Sequence, residues 1–274
     1  MANSIYVLTS CPPKPATILT IGRSRIASAL IAAIESPDNQ EAYRKELLQY
    51  FDVDGSFQAL LLTCEGLDAM DTVERRKLSY RIQMYLEDIT HNASFFYYNS
   101  DFVLVANAIT EEFLCQLAEG ALKRGKKRMP GLELCVGIGS KCMDISQLSV
   151  SYQRAKAATY MAMRHKKQLV KFDECGLYRL LYMVKDKGIL NEIETECLKE
   201  LEEYDYKHNA GYVETLQSYL KHNGSIQAVA AELYTHRNTV LYRIGNIKKI
   251  LNNELKTPDE RLPYQIAFYI RNMQ

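Results

Sequence analysis

Residues 225–251 read SIQAVAAELYTHRNTVLYRIGNIKKIL, a stretch that predicts two short helices joined by a tight turn. Ser225 is placed to cap the first helix, and Asn223-Gly224 is placed to end the helix before it. Apolar residues recur at intervals of three and four, so that each helix has one buried face. In the first helix they are Ile226, Val229, Ala230 and Leu233. In the second, which is predicted from Arg237 to Leu251, they are Val240, Ile244, Ile247 and Leu251.

The outer face of the second helix is polar and basic. No acidic residue lies between Tyr234 and Ile250, whereas four cations do: Arg237, Arg243, Lys248 and Lys249. A helix-turn-helix inserts the start of its second helix into the major groove, where Arg addresses guanine, Asn addresses adenine, and hydroxyls and lysines hold phosphates. We therefore predict base contacts from Arg237, Asn238, Thr239 and Arg243. Phosphate contacts are predicted for Ser225, His236, Tyr242 and Lys248.

A solvated surface is the alternative interpretation of a basic amphipathic helix. The whole set favours DNA binding over it, because a short helix, a tight turn and a supporting helix precede the basic face. The apolar stripe of the supporting helix is Val213, Leu216, Tyr219 and Leu220. For His236, a role as a simple turn residue stays open.

The composition limits the classes of protein to which the chain can belong. The 274 residues suffice for two modest cores, and the formal net charge of +1 means that any DNA-binding surface must be local. Seven scattered cysteines without a CxxC pair fit neither a disulfide framework nor a zinc site, so we expect a reducing cytoplasm. Neither a secretion signal nor a membrane anchor is expected, because the longest apolar run near the N-terminus, 27–34, is too short to span a bilayer.

The central part of the chain predicts an α+β fold. Short apolar runs flanked by turn residues indicate strands, and spacings of three and four indicate helices. In order, we predict strand 57–64, helix 72–89, strands 94–98 and 101–106, helix 111–123, strand 132–139, helix 145–163 and strand 168–172. This order indicates helices on one face of a mainly antiparallel sheet, with an all-helical region after it.

Four segments are predicted. Residues 1–53 form an N-terminal segment and helical linker, in which residues 1–22 show little periodicity, and 54–176 form the α/β domain. Residues 177–205 form a helical connector with a solvated acidic face, which would repel DNA and help to orient the protein on it. Residues 206–274 form the helix-turn-helix domain, in which Thr257 and Glu260 are placed to make a capping box. Pro263 leaves open a later start of this last helix, at Leu262.

The C-terminal run from TLQSYL to KKIL, followed by DERLPYQIAFYI, resembles the helix-turn-helix of the PucR/CdaR transcription regulators. The most specific part of the resemblance is HRNT-xx-YR, here His236 to Arg243. The phrases LCVGIG and AKAATYM resemble the GGDEF-like central domain of the same family. Members usually carry a further N-terminal sensing domain. The short stretch before the central domain is too small for one of ordinary size, so we expect this chain to lack a full sensor.

The resemblance implies a GGDEF-like domain without catalysis. In diguanylate cyclases, the signature loop and the end of the first strand each contribute a metal-binding carboxylate. Here the loop reads Tyr98-Asn99-Ser100-Asp101-Phe102, and the first-strand position is Thr63. One carboxylate is too few to place magnesium ions on a triphosphate. We therefore expect no catalytic residues, no metal site and no cofactor, and the histidines lack metal-ligand spacing.

The leading hypothesis is a sequence-specific transcription regulator that binds double-stranded DNA as a homodimer on a partly palindromic operator and responds to a small-molecule effector or a partner. The alternative is a nucleotide-binding or cyclase-type enzyme that acts through residues 57–176. A third hypothesis is a protein-interaction adaptor that uses the predicted helix 177–201.

Overall fold

The computed structural model describes residues 16–129, 131–184 and 186–273. The chain divides between Arg179 and Leu180 into two compact units. None of the helices in the described ranges combines the length and the apolar character that a membrane span requires.

The first unit is built on a mixed sheet, which has five strands within the described residues. Its helices and strands, in chain order, are α1 (Ala16–Glu35), α2 (Arg44–Leu47), β1 (Phe57–Thr63), α3 (Thr72–Ile89), β2 (Ala93–Tyr98), β3 (Asp101–Asn107), α4 (Glu111–Arg128), β4 (Cys135–Ile138), α5 (Leu148–Arg164) and β5 (Leu169–Lys171). The strand order is β2-β3-β1-β4-β5, and every neighbouring pair is antiparallel except β4 with β5. Short 3-10 turns lie at Gln40–Ala42, Ile145–Gln147 and Phe172–Glu174.

Helices cover both faces of this sheet, so the prediction that they cover one face is wrong. Strand side chains alternate between faces, and every residue of β1 is buried. On one face, Phe57 and Leu61 of β1 join a core with residues of α1 and α5. On the other, Leu60 and Leu62 join a core with residues of α3 and α4. Strands buried on both faces have near-continuous apolar sequences, as β1 does.

The N-terminal segment belongs to this unit. Residues 27–53 contribute Leu30, Leu47 and Val53 to the same core as β1, so the predicted boundary at 53/54 falls within one packed body. Helix α1 already begins at Ala16, although residues 1–22 were predicted to have little regular structure. Residues 1–15 lie outside the described part of the chain.

One buried amide ties this segment to the sheet. The side chain of Asn107 donates to the carbonyl oxygens of Asp52 and Ser56, at 2.8 and 3.3 Å, and accepts from the backbone amide of Asp52 at 3.0 Å. Asn107 is buried, so these bonds satisfy polar groups that water does not reach. The side chain therefore fixes the entry to β1.

Two glycines allow α5 to approach β4 closely. A Cβ atom added to Gly137 would lie 2.1 Å from the backbone nitrogen of Thr159, and one added to Gly139 would lie 2.0 Å from the carbonyl oxygen of Ser151. These glycines belong to the LCVGIG phrase. They are required because any side chain would push the helix off the sheet.

The second unit is all helical. Helix α6 (Tyr178–Met183) crosses the division between the units. It is followed by α7 (Lys187–His208), α8 (Tyr212–Lys221), α9 (Ile226–Glu232), α10 (Arg237–Ile250) and α11 (Pro258–Arg271). The predicted inner faces of α8, α9 and α10 meet in one core that also takes in Leu198 and Leu201 of α7. The capping box at Thr257 and Glu260 is present, so α11 begins at Pro258 and accommodates Pro263 in its interior.

Helix α7 differs from the predicted solvated connector. It packs into the second unit, and the predicted boundary at 205/206 falls inside it. Some of its carboxylates are engaged: Arg271 binds Glu194 at 2.8 Å and Glu202 at 2.6 Å, and the Glu194 side chain is only 15% exposed. The acidic face is therefore partly a structural contact with α11.

Candidate nucleic-acid interface

The turn before the recognition helix is an ordered Schellman motif at the end of α9. The amide of Thr235 donates to the carbonyl oxygen of Ala230 at 2.9 Å, and the amide of Tyr234 donates to that of Ala231 at 3.4 Å. Tyr234 takes a left-handed conformation with φ of +49°. At the other end of α9, the Ser225 hydroxyl accepts from the amide of Ala228, as predicted for an N-cap.

The first turn of α10 presents three exposed polar side chains. His236 caps the helix, because its Nδ1 accepts from the amide of Asn238 at 3.2 Å. In the neutral ring this leaves the proton on Nε2, which is free to donate. The next three residues, Arg237, Asn238 and Thr239, are all exposed. Three of the four predicted base-contacting residues therefore lie together in the first turn of α10.

Arg243 is placed differently from its neighbours. It is half-buried, and its Nη1 donates at 3.2 Å to the hydroxyl of Thr215, a fully buried residue of α8. Thr215 in turn donates to the carbonyl oxygen of Gly211 at 2.6 Å. The prediction put Arg243 near base edges, but its guanidinium here braces α10 against α8.

Tyr242 and Lys248 continue the surface along α10. Tyr242 is 69% exposed, and its phenol lies near Tyr204 of α7. Desolvation is the main cause that raises the pKa of Tyr204, and Tyr212 and Tyr242 add to it. The ammonium of Lys248 lies 3.7 Å from Glu254, and the side chain is 25% exposed. A phosphate would therefore have to compete with Glu254 for Lys248.

A carboxylate on α7 caps the helix that supports the interface. Gly211, the N-cap of α8, has no side chain to satisfy the first amides. Asp205 does so instead: Oδ1 accepts from the amide of Tyr212 and Oδ2 from that of Val213, each at 2.8 Å. An anion at a helix N-terminus is also favoured by the helix dipole.

A second polar cluster joins α8 to α9. Glu232 accepts hydrogen bonds from Lys221 and Ser218 and lies 3.0 Å from Nε2 of His222. These contacts, with Lys221 the largest cause, lower the pKa of Glu232 to about 2. The α8–α9 pair is thus held by an ion pair as well as by its apolar core.

Sequence reasoning did not find the roles of Asp205, Thr215 and Glu232. Each acts on a residue 7 to 28 positions away, so no local pattern signals it. For Asp205, the sequence offers one signal: a glycine at the start of a helix has no side chain to accept hydrogen bonds from the first backbone amides, so another residue must accept them. The local pattern likewise gives no signal for the left-handed conformation or the exposure of Tyr234.

The degenerate signature loop of the first unit closes as a two-residue hairpin. Tyr98 pairs with Asp101, and Asn99 and Ser100 both have positive φ, the conformation that paired glycines adopt most easily. Burial raises the pKa of Asp101, while the neighbouring Thr63 side chain and the charge of Lys156 oppose the shift.

The donor set beside Asp101 does not fit a pair of magnesium ions. Thr63 offers a neutral hydroxyl where a second carboxylate would be needed. Within the described ranges, no group of three or more His, Cys, Asp or Glu side chains is arranged to hold a metal ion.

In comparisons with known proteins, each of the two units contains a match to a known domain family. Residues 212–270 match the PucR C-terminal helix-turn-helix domain. Residues 27–160 match the GGDEF-like domain, a match that begins inside α1. The family match thus starts well before the predicted boundary at residue 54.

Curated relatives include three proteins of Bacillus subtilis (strain 168). The DNA-binding transcriptional activator AdeR is 28% identical over 163 residues, which cover 58% of this chain and 39% of AdeR. The proline-responsive transcriptional activator PutR is 28% identical over 44% of this chain and 30% of PutR. The purine catabolism regulatory protein is 27% identical over 43% of this chain and 20% of its own length. The chain thus spans well under half the length of these relatives. With a PucR-type helix-turn-helix domain after a GGDEF-like domain, it belongs to the PucR family of transcriptional regulators.

Proposed function

We propose that this chain is a sequence-specific DNA-binding transcription regulator whose helix α10 enters the major groove. The observation that carries the proposal is the capped start of α10, where Arg237, Asn238 and Thr239 are exposed side by side. Arg and Asn are the side chains that read guanine and adenine by paired hydrogen bonds. The PucR-type domain match and the DNA-binding relative AdeR support the same function.

Each side chain of the interface has a proposed role. Arg237 and Asn238 contact base edges, with Thr239 beside them, while Ser225, His236 and Tyr242 contact phosphates. Lys248 contacts a phosphate after it leaves Glu254. We assign Arg243 a positioning role through Thr215, and a base contact would require it to give up that hydrogen bond.

The regulator is proposed to act as a homodimer. Two copies of α10 related by a twofold axis would read half-sites about one helical turn apart, which makes the operator partly palindromic. A small metabolite or a partner protein is proposed to control it. The relative PutR is a proline-responsive activator, which supports a small metabolite. We propose a cytoplasmic location, where the DNA is.

Selection from a library of random duplexes with the full chain at physiological salt tests this function. The expected result is one short, partly palindromic motif. Arg237→Ala should weaken binding to the selected duplex by about 1–3 kcal/mol, the cost of a lost bidentate base contact. Lys199→Ala is the charge-matched control, because Lys199 lies on α7 of the same unit and pairs only loosely with Glu203, at 3.9 Å. Recovery of no motif, or equal losses in both variants, contradicts the proposal.

We also infer that the GGDEF-like domain does not make cyclic dinucleotides. The inference rests on Thr63 beside Asp101, which leaves one carboxylate where catalysis needs two. Incubation with GTP and magnesium should yield no product. Product formation that is abolished by Asp101→Ala would overturn this inference.

A further inference from the structure

Tyr234 adopts an energetically unfavourable backbone conformation that packing does not explain. It occupies the left-handed position that ends α9, with φ of +49°, where a bulky side chain crowds its own backbone. Its side chain is 98% exposed, so packing within the unit does not offset this crowding. Residues held in such conformations concentrate at functional sites.

Other positive-φ positions in the same unit show what is unusual about Tyr234. Non-glycine residues with positive φ in the described part of this unit are Asn209, Asn223, Tyr234, Asn252 and Leu255. Asparagine tolerates this conformation because its short side chain bonds locally. Leu255 is completely buried in the core, which explains why an apolar side chain is kept there. Neither reason applies to Tyr234.

The location of Tyr234 identifies the partner. It lies two residues before His236, the N-cap of the recognition helix, and next to the exposed first turn of α10. The segment that follows, to Ile250, has cations and no carboxylate. Tyrosine is one of the side chains that donate hydrogen bonds to DNA phosphate oxygens.

We propose that Tyr234 is a DNA-backbone contact, whose phenol hydroxyl donates a hydrogen bond to a phosphate oxygen flanking the bases read by α10. This proposal rests on the proposed function. The phenol is accessible at this position because the Tyr234 side chain is 98% exposed, whereas glycine there would offer no donor.

Two substitutions at Tyr234 separate folding from binding. Tyr234→Gly relieves the left-handed strain, so amide protection of α9 in native-state hydrogen exchange should rise, while its affinity for the selected duplex should fall about tenfold, or about 1.4 kcal/mol. Tyr234→Phe keeps the ring and the strain but removes the hydroxyl. It should keep the wild-type protection of α9 and lose a similar factor in affinity. Tyr206→Phe is the matched control, because Tyr206 is 92% exposed on α7 and has no proposed DNA contact.

The phosphate itself can be located with duplexes in which one phosphate at a time is replaced by a neutral methylphosphonate. At one position per half-site, the replacement should weaken the wild type but not Tyr234→Phe. Wild-type affinity in Tyr234→Gly, or in Tyr234→Phe, would overturn the proposed hydrogen bond. If the wild type itself selects no duplex, the DNA-binding function fails, and this proposal fails with it.

Discussion

The Asp205 carboxylate should set the local stability of α8. Asp205→Ala removes two hydrogen bonds of 2.8 Å to the amides of Tyr212 and Val213, and the Gly211 N-cap offers no replacement. Losing a cap costs about 0.5–2 kcal/mol, and losing an anion at a helix N-terminus costs about 0.3–1 kcal/mol more. We therefore expect a loss of about 1–3 kcal/mol, which is roughly 5- to 150-fold in an opening equilibrium.

Native-state hydrogen exchange on the full chain is the suitable assay, because a chain with two compact units has no single free energy of unfolding. Amide protection in α8 should fall by the factor given above, while protection in the first unit stays unchanged. Glu203→Ala is the control: it removes the same charge from α7, and its exposed pair with Lys199 contributes about 0–1 kcal/mol. If Asp205→Ala loses no more protection than Glu203→Ala, the capping argument is refuted.

Three further predictions follow from buried or paired polar groups. The pKa of Glu232 is lowered from 4.5 to about 2, so its contribution to stability is present above pH 4.5 and is lost as the pH falls toward 2. In Glu232→Gln, amide protection of α8 and α9 should therefore fall less steeply on acidification than in the wild type. An unchanged pH profile would contradict this prediction. Arg243→Ala should lower the free energy of opening of α8 and α10, measured by hydrogen exchange, by about 1 kcal/mol, because it removes the bond to Thr215. The same substitution at the exposed Arg237 should leave it unchanged. Asn107→Ala should destabilise the first unit by about 2–3 kcal/mol in exchange experiments, and an equal effect of exposed Asn92→Ala would argue against it.

Local patterns predicted the elements well. The apolar stripes at intervals of three and four located α9 and α10, and the largely apolar run from Phe57 located β1. The capping box at Thr257 was also correct, because all of its partners lie within four residues. Such features depend on neighbouring residues alone, so one sequence contains the information.

Long-range contacts could not be predicted in the same way. The side chain of Arg243 lies on the boundary of the inner face of α10, and only the position of Thr215, 28 residues earlier, determines that it points toward α8. The helical layer that includes α1 was not predicted, because the spacing of apolar residues in α1 does not indicate which face of the sheet the helix covers. The sign of φ at Tyr234 depends on how the chain leaves α9, which the turn residues alone do not specify.

The most direct test of the account is base readout by Arg237. Wild type, Arg237→Ala and Lys199→Ala would be titrated against the selected duplex and against duplexes in which each base pair is exchanged in turn. The account predicts that Arg237→Ala binds the selected duplex roughly 5- to 150-fold more weakly and becomes indifferent to exchange at one base pair per half-site, while Lys199→Ala keeps the wild-type profile. An Arg237→Ala protein that retains the full wild-type base preference would contradict the claim that α10 reads DNA.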